Sequence, residues 1–131
     1  MRQLLFPIIC LALVLYGVTA FGSGLKVEEG VITTRIVERS PADSVQTYPV
    51  AVGKVYCFTH ITGAEGDTNV THVWYLGKKE ISRVTLPVRS SDWRTWSVKT
   101  ILPQWTGNWR VEVLDADGNL LQTIPFTLTA G

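Results

Sequence analysis

Apolar and polar residues alternate along most of the sequence after residue 30, and clusters of turn-forming residues interrupt the alternation at short intervals. Successive side chains of a β-strand point to opposite faces of the sheet, so a period of two predicts strands. The predicted strands cover residues 31–39, 54–61, 70–76, 80–88, 93–101, 108–115 and 120–129. About seven short strands in roughly 100 residues are typical of an immunoglobulin-like antiparallel β-sandwich, which is an all-β fold.

The same alternation assigns the tryptophans to the two faces of each strand. Trp109 shares an apolar face with two valines, and Trp74 and Trp96 also fall on the more apolar faces of their strands. These three side chains are predicted to lie in the core, where a buried aromatic ring removes about 150–250 Å² from water. Trp93 falls on a polar face, and Trp105 lies in the corner LPQWTG, outside any alternation.

Trp93 and Trp105 are therefore the candidates for a binding surface. They either close the ends of the sandwich, since large aromatic residues are usually buried, or form an exposed patch flanked by Arg94 and Lys99. Exposed aromatic residues beside polar groups are typical of binding surfaces, and His72 is an outlying member of this set. The leading hypothesis is a non-catalytic interaction module that binds an unknown protein or peptide partner through these residues or through a free strand edge.

A carbohydrate-binding module is the second hypothesis. Flat tryptophan rings stack on sugar rings, while polar neighbours bind the hydroxyl groups. This hypothesis requires Trp93 and Trp105 to be coplanar and exposed. A purely structural role is also open, because no residue in the sequence demands a ligand.

The first twenty residues have the pattern of a secretory signal peptide. Arg2 precedes a short apolar run, and small residues follow it up to Ala20, as in cleavable signals. The run is shorter than the ~20 residues that span a bilayer, and an uncleaved anchor is the alternative. We therefore expect a signal peptide over residues 1–20, a flexible lead-in over 21–30 and one sandwich domain over 31–131, in the periplasm or outside the cell.

Charge and cysteine content narrow the classes of partner. The chain has 12 basic and 11 acidic residues, and loss of Arg2 with the signal leaves a domain of zero formal charge. No nucleic-acid partner is expected without a basic surplus, and membrane contact is expected only through an uncleaved signal. Cys57 is the one cysteine outside the signal, so no internal disulfide is expected. Its apolar neighbours predict a buried, unreactive thiol.

The sequence lacks the usual patterns of catalytic residues. It has no nucleophile elbow, glycine-rich phosphate loop or CxxC, so we expect neither enzyme activity nor a cofactor. His60 and His72 are the two histidines, and they would lie opposite each other if their strands paired around Gly66. A metal site or enzyme centred on this pair is the third hypothesis, with Glu65 or Asp67 as a further ligand. No spacing fixes that ligand, and a buried neutral His72 is the simpler interpretation.

Two stretches, THVWYLGKKE at residues 71–80 and WRTWSVKTILPQWTGNWRVEVLDADGNLL at residues 93–121, resemble an uncharacterised bacterial family, domain of unknown function 2914. The positions that carry the resemblance are Thr71, His72, Trp74, Gly77 and Lys78, then Trp93, Arg94, Trp96, Ser97 and Lys99, then Pro103, Trp105, Gly107, Trp109, Val111 and Val113. The resemblance extends over roughly residues 30–128 and includes Arg39, Pro41 and Asp43. That family has no established activity, so the resemblance implies the extent of the domain and a bacterial origin but no chemistry.

Overall fold

The structure is a computed structural model that describes residues 24–131. The predicted signal peptide, residues 1–20, lies outside the described residues. Within the described part of the chain, no helix is long and apolar enough to cross a membrane.

Residues 24–131 fold almost entirely into β-strands. The strands are β1 (Lys26–Thr33), β2 (Ile36–Val37), β3 (Ser40–Pro41), β4 (Thr47–Pro49), β5 (Lys54–Thr62), β6 (Thr68–Leu76), β7 (Lys79–Val88), β8 (Asp92–Thr100), β9 (Gly107–Leu114) and β10 (Leu120–Thr129). A 3-10 turn, Val50–Val52, links β4 to β5. The last six predicted strands match β5 to β10 closely, because their alternation and turn residues are regular.

Two sheets form the sandwich. One has three strands in the order β1-β5-β8, and the other has five in the order β4-β10-β9-β6-β7. β4 runs parallel to β10, and the other neighbouring strands are antiparallel. Strands β2 and β3 form a separate small hairpin between β1 and β4 in the chain. The chain passes back and forth between the two sheets, as in immunoglobulin-like sandwiches, so the predicted fold class is confirmed.

The core fills the space between the inner faces of the sheets. Trp74 of β6 and Trp109 of β9 are buried, as predicted, and both contact Phe126 of β10. The Trp74 and Phe126 rings meet edge to face at 6.1 Å, and the Trp109 and Phe126 rings stack at 5.7 Å. Cys57 of β5 is a buried free thiol, and burial raises its pKa. Large aromatic rings supply the apolar area that a small domain needs to fold.

Strand β1 differs from the prediction at both ends. It begins at Lys26 rather than at residue 31, so the expectation of a flexible lead-in is wrong for residues 26–30. A bulge between Val27 and Glu29 shifts the register against β5. The extra residue breaks the alternation that would have revealed the strand. β1 then ends at Thr33, and the chain leaves the sheet for the hairpin instead of continuing to residue 39.

The faces of β8 are the reverse of those predicted. Trp96 and Val98 point to the outer surface of the three-stranded sheet, and Val98 is 48% exposed. Trp93 packs against the core, and Ser97 is buried between the sheets. The assignment of Trp96 to the core and of Trp93 to the polar face is therefore wrong. It failed because β8 turns apolar side chains outward and buries the Ser97 hydroxyl, which has partners between the sheets.

Candidate binding surface

A line of polar side chains crosses the core from one sheet to the other. His72 Nδ1 lies 2.7 Å from Ser97 Oγ, and His72 Nε2 lies 3.2 Å from Thr59 Oγ1. Trp74 Nε1 donates a hydrogen bond of 3.1 Å to Ser97 Oγ. Thr59 Oγ1 donates one of 3.0 Å to the carbonyl oxygen of Thr95. These residues come from β5, β6 and β8, so the line joins the two sheets.

The partners of His72 fix its protonation. Because the Thr59 hydroxyl donates to a carbonyl, its oxygen accepts from His72, and the proton sits on Nε2. The ring then accepts at Nδ1 from the Ser97 hydroxyl, whose oxygen accepts from Trp74. Burial lowers the pKa of His72 to about 4, which keeps the ring neutral near pH 7. His72 is 0% exposed, so this arrangement holds the sheets together and gives a substrate no access.

His60 lies on the opposite face of β5 from this line. Its Nε2 is 2.6 Å from Oδ1 of the exposed Asp92. β5 and β6 belong to different sheets, so the predicted placement of His60 opposite His72 is wrong. Within residues 24–131, no three metal-ligating side chains are grouped so as to hold an ion. The third hypothesis therefore loses the geometry on which it rested.

Trp105 closes one end of the sandwich. Trp109 Nε1 donates a hydrogen bond of 2.9 Å to the carbonyl oxygen of Trp105, and the two indole rings meet edge to face at 5.6 Å. The ammonium group of Lys99 lies 5.5 Å from the centre of the Trp105 ring, a cation–π distance. Gly107 has a φ of 128°, a region that favours glycine, and it lets the chain enter β9 after this corner. Trp105 is thus half-buried, and its ring packs against the core of the domain.

The five predicted binding residues do not share one surface. Lys99 and Trp105 are in contact, but Trp93 lies near the other end of β8. The span from Trp93 to Lys99 is about 20 Å at about 3.3 Å per residue. Arg94 points to the outer surface, and His72 is buried. Trp93 and Trp105 therefore do not form the coplanar exposed pair that the carbohydrate hypothesis requires.

An aromatic patch occupies the outer surface of the three-stranded sheet. Tyr56 of β5 lies opposite Val98 of β8, and Phe58 lies opposite Trp96 in the same two strands. The Phe58 and Trp96 rings stack with their centroids 6.4 Å apart; Phe58 is buried, and Trp96 is partly exposed. We call Tyr56, Trp96 and Val98 the outer aromatic face.

Two cationic side chains border the outer aromatic face. Lys54 Nζ lies 5.8 Å from the centre of the Tyr56 ring. Arg94 Nη1 donates hydrogen bonds of 3.2 Å to the carbonyl oxygen of Arg39 and 3.0 Å to Ser40 Oγ in the hairpin. Neither Lys54 nor Arg94 forms an ion pair with a carboxylate in the described part of the chain. The border therefore carries positive charge that no carboxylate of the described chain pairs with.

Asp43 fixes the β2–β3 hairpin to the sheet. Its Oδ1 accepts hydrogen bonds of 3.0 Å from the Thr33 hydroxyl and the Thr34 amide, and one of 2.9 Å from Tyr48. The Thr34 hydroxyl donates to Oδ2. Burial alone would raise the pKa of Asp43, but these hydrogen bonds outweigh burial and leave the pKa below its ordinary value. The carboxylate is therefore a charged clamp at the base of the hairpin, and Arg94 holds the hairpin farther along.

Sequence reasoning found Arg94 at the border but missed the outer aromatic face itself. Apolar residues on one side of a strand are assigned to the core by default, and this default placed Trp96 and Val98 inside. The available signal was the set of hydroxyl residues at alternating positions, Thr59 on β5 and Thr95 and Ser97 on β8. Two of them, Thr59 and Ser97, supply the hydrogen-bond partners of the buried His72 ring.

Residues 67–128 match the family model described as "Protein of unknown function (DUF2914)", which confirms the resemblance over that segment. The segment contains β6 to β9 and nearly all of β10. No curated protein matches the chain. A solved structure similar to this chain is "The crystal structure of endonuclease/exonuclease/phosphatase from Beutenbergia cavernae DSM 12333", with 17% identity and a TM-score of 0.34. The similarity covers 80% of this chain and 35% of that one, and it carries no argument about activity.

Proposed function

We propose that this protein is a non-catalytic binding module that holds a protein or peptide partner on its outer aromatic face. The observation that carries the proposal is the outward orientation of Trp96 and Val98 on a strand whose inward positions hold Thr95 and Ser97. Burial of apolar surface contributes about 25 cal/mol per Å² toward association, against which the costs of ordering the two partners are set. Aromatic residues and arginine are also enriched in protein interfaces.

The buried polar line supports the non-catalytic part of the proposal. Ser97 and His72 have the spacing of a nucleophile and its base, yet they are 5% and 0% exposed. A general base must reach the proton that it removes from a bound substrate. Both nitrogens of His72 are already engaged inside the core. The pair thus serves cohesion between the sheets.

We also propose that the domain acts in the periplasm or outside the cell. The proposal rests on the signal-like pattern of residues 1–20. Expression of the full sequence in a bacterium, followed by fractionation and N-terminal sequencing, tests it. The expected product begins near residue 21 and leaves the cytoplasm. An intact N-terminus on a cytoplasmic protein would contradict the proposal.

Selection of a random nine-residue peptide library on the purified protein tests the binding function. We expect enriched peptides whose synthetic forms lose at least about tenfold in affinity with Trp96→Ala, since a central aromatic anchor contributes 2 kcal/mol or more. Leu120→Ala is the matched control because Leu120 is an exposed apolar residue, 55% exposed, on the other sheet. This variant should bind like the parent, and circular dichroism should show both variants folded.

Three results would contradict the proposed function. The library gives no enriched peptide, the selected peptides bind Trp96→Ala as tightly as the parent, or Leu120→Ala weakens binding as much as Trp96→Ala does. Binding of a carbohydrate through Trp96 in the absence of peptide binding would instead indicate a carbohydrate-binding module that uses the outer aromatic face.

A further inference from the structure

The pairing of β5 with β8 determines where the peptide groups of β8 point. The amide of Ile101 donates to the carbonyl oxygen of Gly53, and the amide of Gly63 donates to the carbonyl oxygen of Ser91. In an antiparallel ladder such hydrogen-bonded pairs recur at every second residue. The odd-numbered residues of β8 therefore direct their N–H and C=O groups to β5. The even-numbered residues direct theirs to the opposite edge.

That opposite edge of β8 is free of backbone partners. β8 is the last strand of its sheet. The outward peptide groups of Asp92 are engaged by the hydroxyl of Ser90. Those of Arg94, Trp96 and Val98 form no hydrogen bond within residues 24–131. These three residues also carry their side chains on the outer surface, so open backbone and apolar side chains coincide.

The other sheet edges are interrupted in ways that discourage strand addition. β1 contains the bulge between Val27 and Glu29, and β7 contains a register shift and Pro87. β4 is three residues long, and β10 beyond it contains Pro125. Natural proteins protect sheet edges with short strands, bulges and prolines. β8, in contrast, keeps an unbroken register over Asp92–Thr100 and contains no proline.

We infer that the free edge of β8 binds an extended acidic peptide segment as an additional β-strand. This inference rests on the proposed function and specifies its partner. The peptide backbone pairs with the N–H and C=O groups of Arg94, Trp96 and Val98, and each second side chain of the peptide lies beside the outer aromatic face. Backbone pairing provides affinity, and the exposed apolar side chains select apolar residues at alternate positions.

Local charge sets the acidic character of the partner. Arg94, Lys54 and Lys99 lie along or beside β8, and none of them forms an ion pair with a carboxylate in the described part of the chain. Asp92, the acidic residue at the start of β8, has its Oδ1 2.6 Å from Nε2 of His60, and the three cations outnumber it. Opposite charges on neighbouring strands stabilise pairing, and like charges destabilise it. A peptide with glutamate or aspartate at intervals is therefore favoured over a basic one.

The test uses the random nine-residue library on protein expressed from the full sequence. Selected peptides should alternate apolar and acidic residues. Val98→Pro removes one outward N–H and leaves the ladder to β5 intact, so it should weaken binding at least about tenfold. Val98→Ala, which keeps the N–H and only shortens one side chain of the outer aromatic face, should weaken binding clearly less than Val98→Pro does. In the unmodified protein, a selected peptide should slow amide exchange at Arg94, Trp96 and Val98.

The outcomes separate this inference from the proposed function. If Val98→Pro binds like the parent while Trp96→Ala does not, or if exchange at the three amides is unchanged by peptide, strand addition is wrong and the binding surface stands. Enrichment of basic or proline-rich peptides also overturns the inference. If no peptide is enriched, both the inference and the proposed function fail.

Discussion

Ser97 Oγ lies 2.7 Å from His72 Nδ1 in the space between the two sheets. Serine and histidine at this distance form the reactive pair of many hydrolases. Here the other histidine nitrogen is bound to Thr59, and the serine oxygen accepts from Trp74. The pair is therefore a structural link between the two sheets.

The buried, neutral state of His72 predicts that stability falls in mild acid. Its pKa is about 4 in the folded protein and 6.5 ordinarily, so between these values the unfolded chain binds a proton that the folded chain does not. The free energy of unfolding should therefore decrease by about 3 kcal/mol as the pH falls from about 6.5 to about 4. Urea titrations at several pH values measure this change.

His72→Gln should flatten that pH dependence, even though the variant is less stable at pH 7. Leu120→Ala, at an exposed residue without a titratable group, is the control and should keep the slope of the parent. If His72→Gln and the parent lose stability equally between pH 6.5 and 4, the acid sensitivity has another origin.

Replacement of Ser97 should show how much the line of polar side chains contributes to the free energy of unfolding. Ser97→Ala leaves the Trp74 indole N–H and the His72 Nδ1 without partners inside the core. A buried polar group without a partner costs about 1–3 kcal/mol, so the free energy of unfolding should fall by about 2–4 kcal/mol. Ser44→Ala, at an exposed serine, should change it by less than about 0.5 kcal/mol. Chemical denaturation that finds Ser97→Ala as stable as Ser44→Ala would disprove the link.

The two kinds of tryptophan should respond differently to truncation. Trp109→Ala removes a buried ring and should cost about 3–5 kcal/mol, which approaches the total stability of many small domains. Trp96→Ala removes a partly exposed ring that stacks on Phe58, so the expected loss is smaller, about 1–2 kcal/mol. Thermal unfolding of both variants measures the two losses of stability. Equal losses would place Trp96 in the core and remove it from the binding surface.

The fold could be predicted from the sequence because buried and exposed residues alternate along most of its strands. Trp109 and its neighbours on β9 alternate cleanly between buried and exposed positions, and β10 does the same. Two local features depart from this pattern. The bulge near Val27 hid the start of β1, and the buried hydroxyl group of Ser97, on the inward side of β8, inverted the faces of that strand.

The proposed binding surface was harder to predict from the sequence because it depends on which strands pair in the folded protein. Residues that the sequence places together, such as Trp93 and Arg94, point to opposite faces of β8. Tyr56 and Val98 are distant in sequence and become neighbours only because β5 pairs with β8. The partner of a buried histidine, like the free edge of a strand, is known only when the order of strands in each sheet is known.

Removal of the Asp43 carboxylate should release the β2–β3 hairpin. Asp43→Ala deletes the acceptors for the Thr33 and Thr34 hydroxyls and for the Thr34 amide, so that amide should exchange with solvent much faster. The expected loss of stability is about 1–3 kcal/mol, the cost of leaving such groups without partners. Amide exchange followed by NMR measures the first effect, and urea denaturation measures the second.

The same carboxylate gives the clamp an acid limit distinct from that of His72. Hydrogen bonds hold the pKa of Asp43 below its ordinary value of 3.8, so its contribution is complete above that pH and is lost as the pH falls below it. Glu38→Gln removes an acidic charge from the same hairpin, at an exposed position, and should leave the exchange of the Thr34 amide as it is in the parent. Unchanged exchange of that amide in Asp43→Ala would show that other contacts, such as those of Arg94, suffice to hold the hairpin.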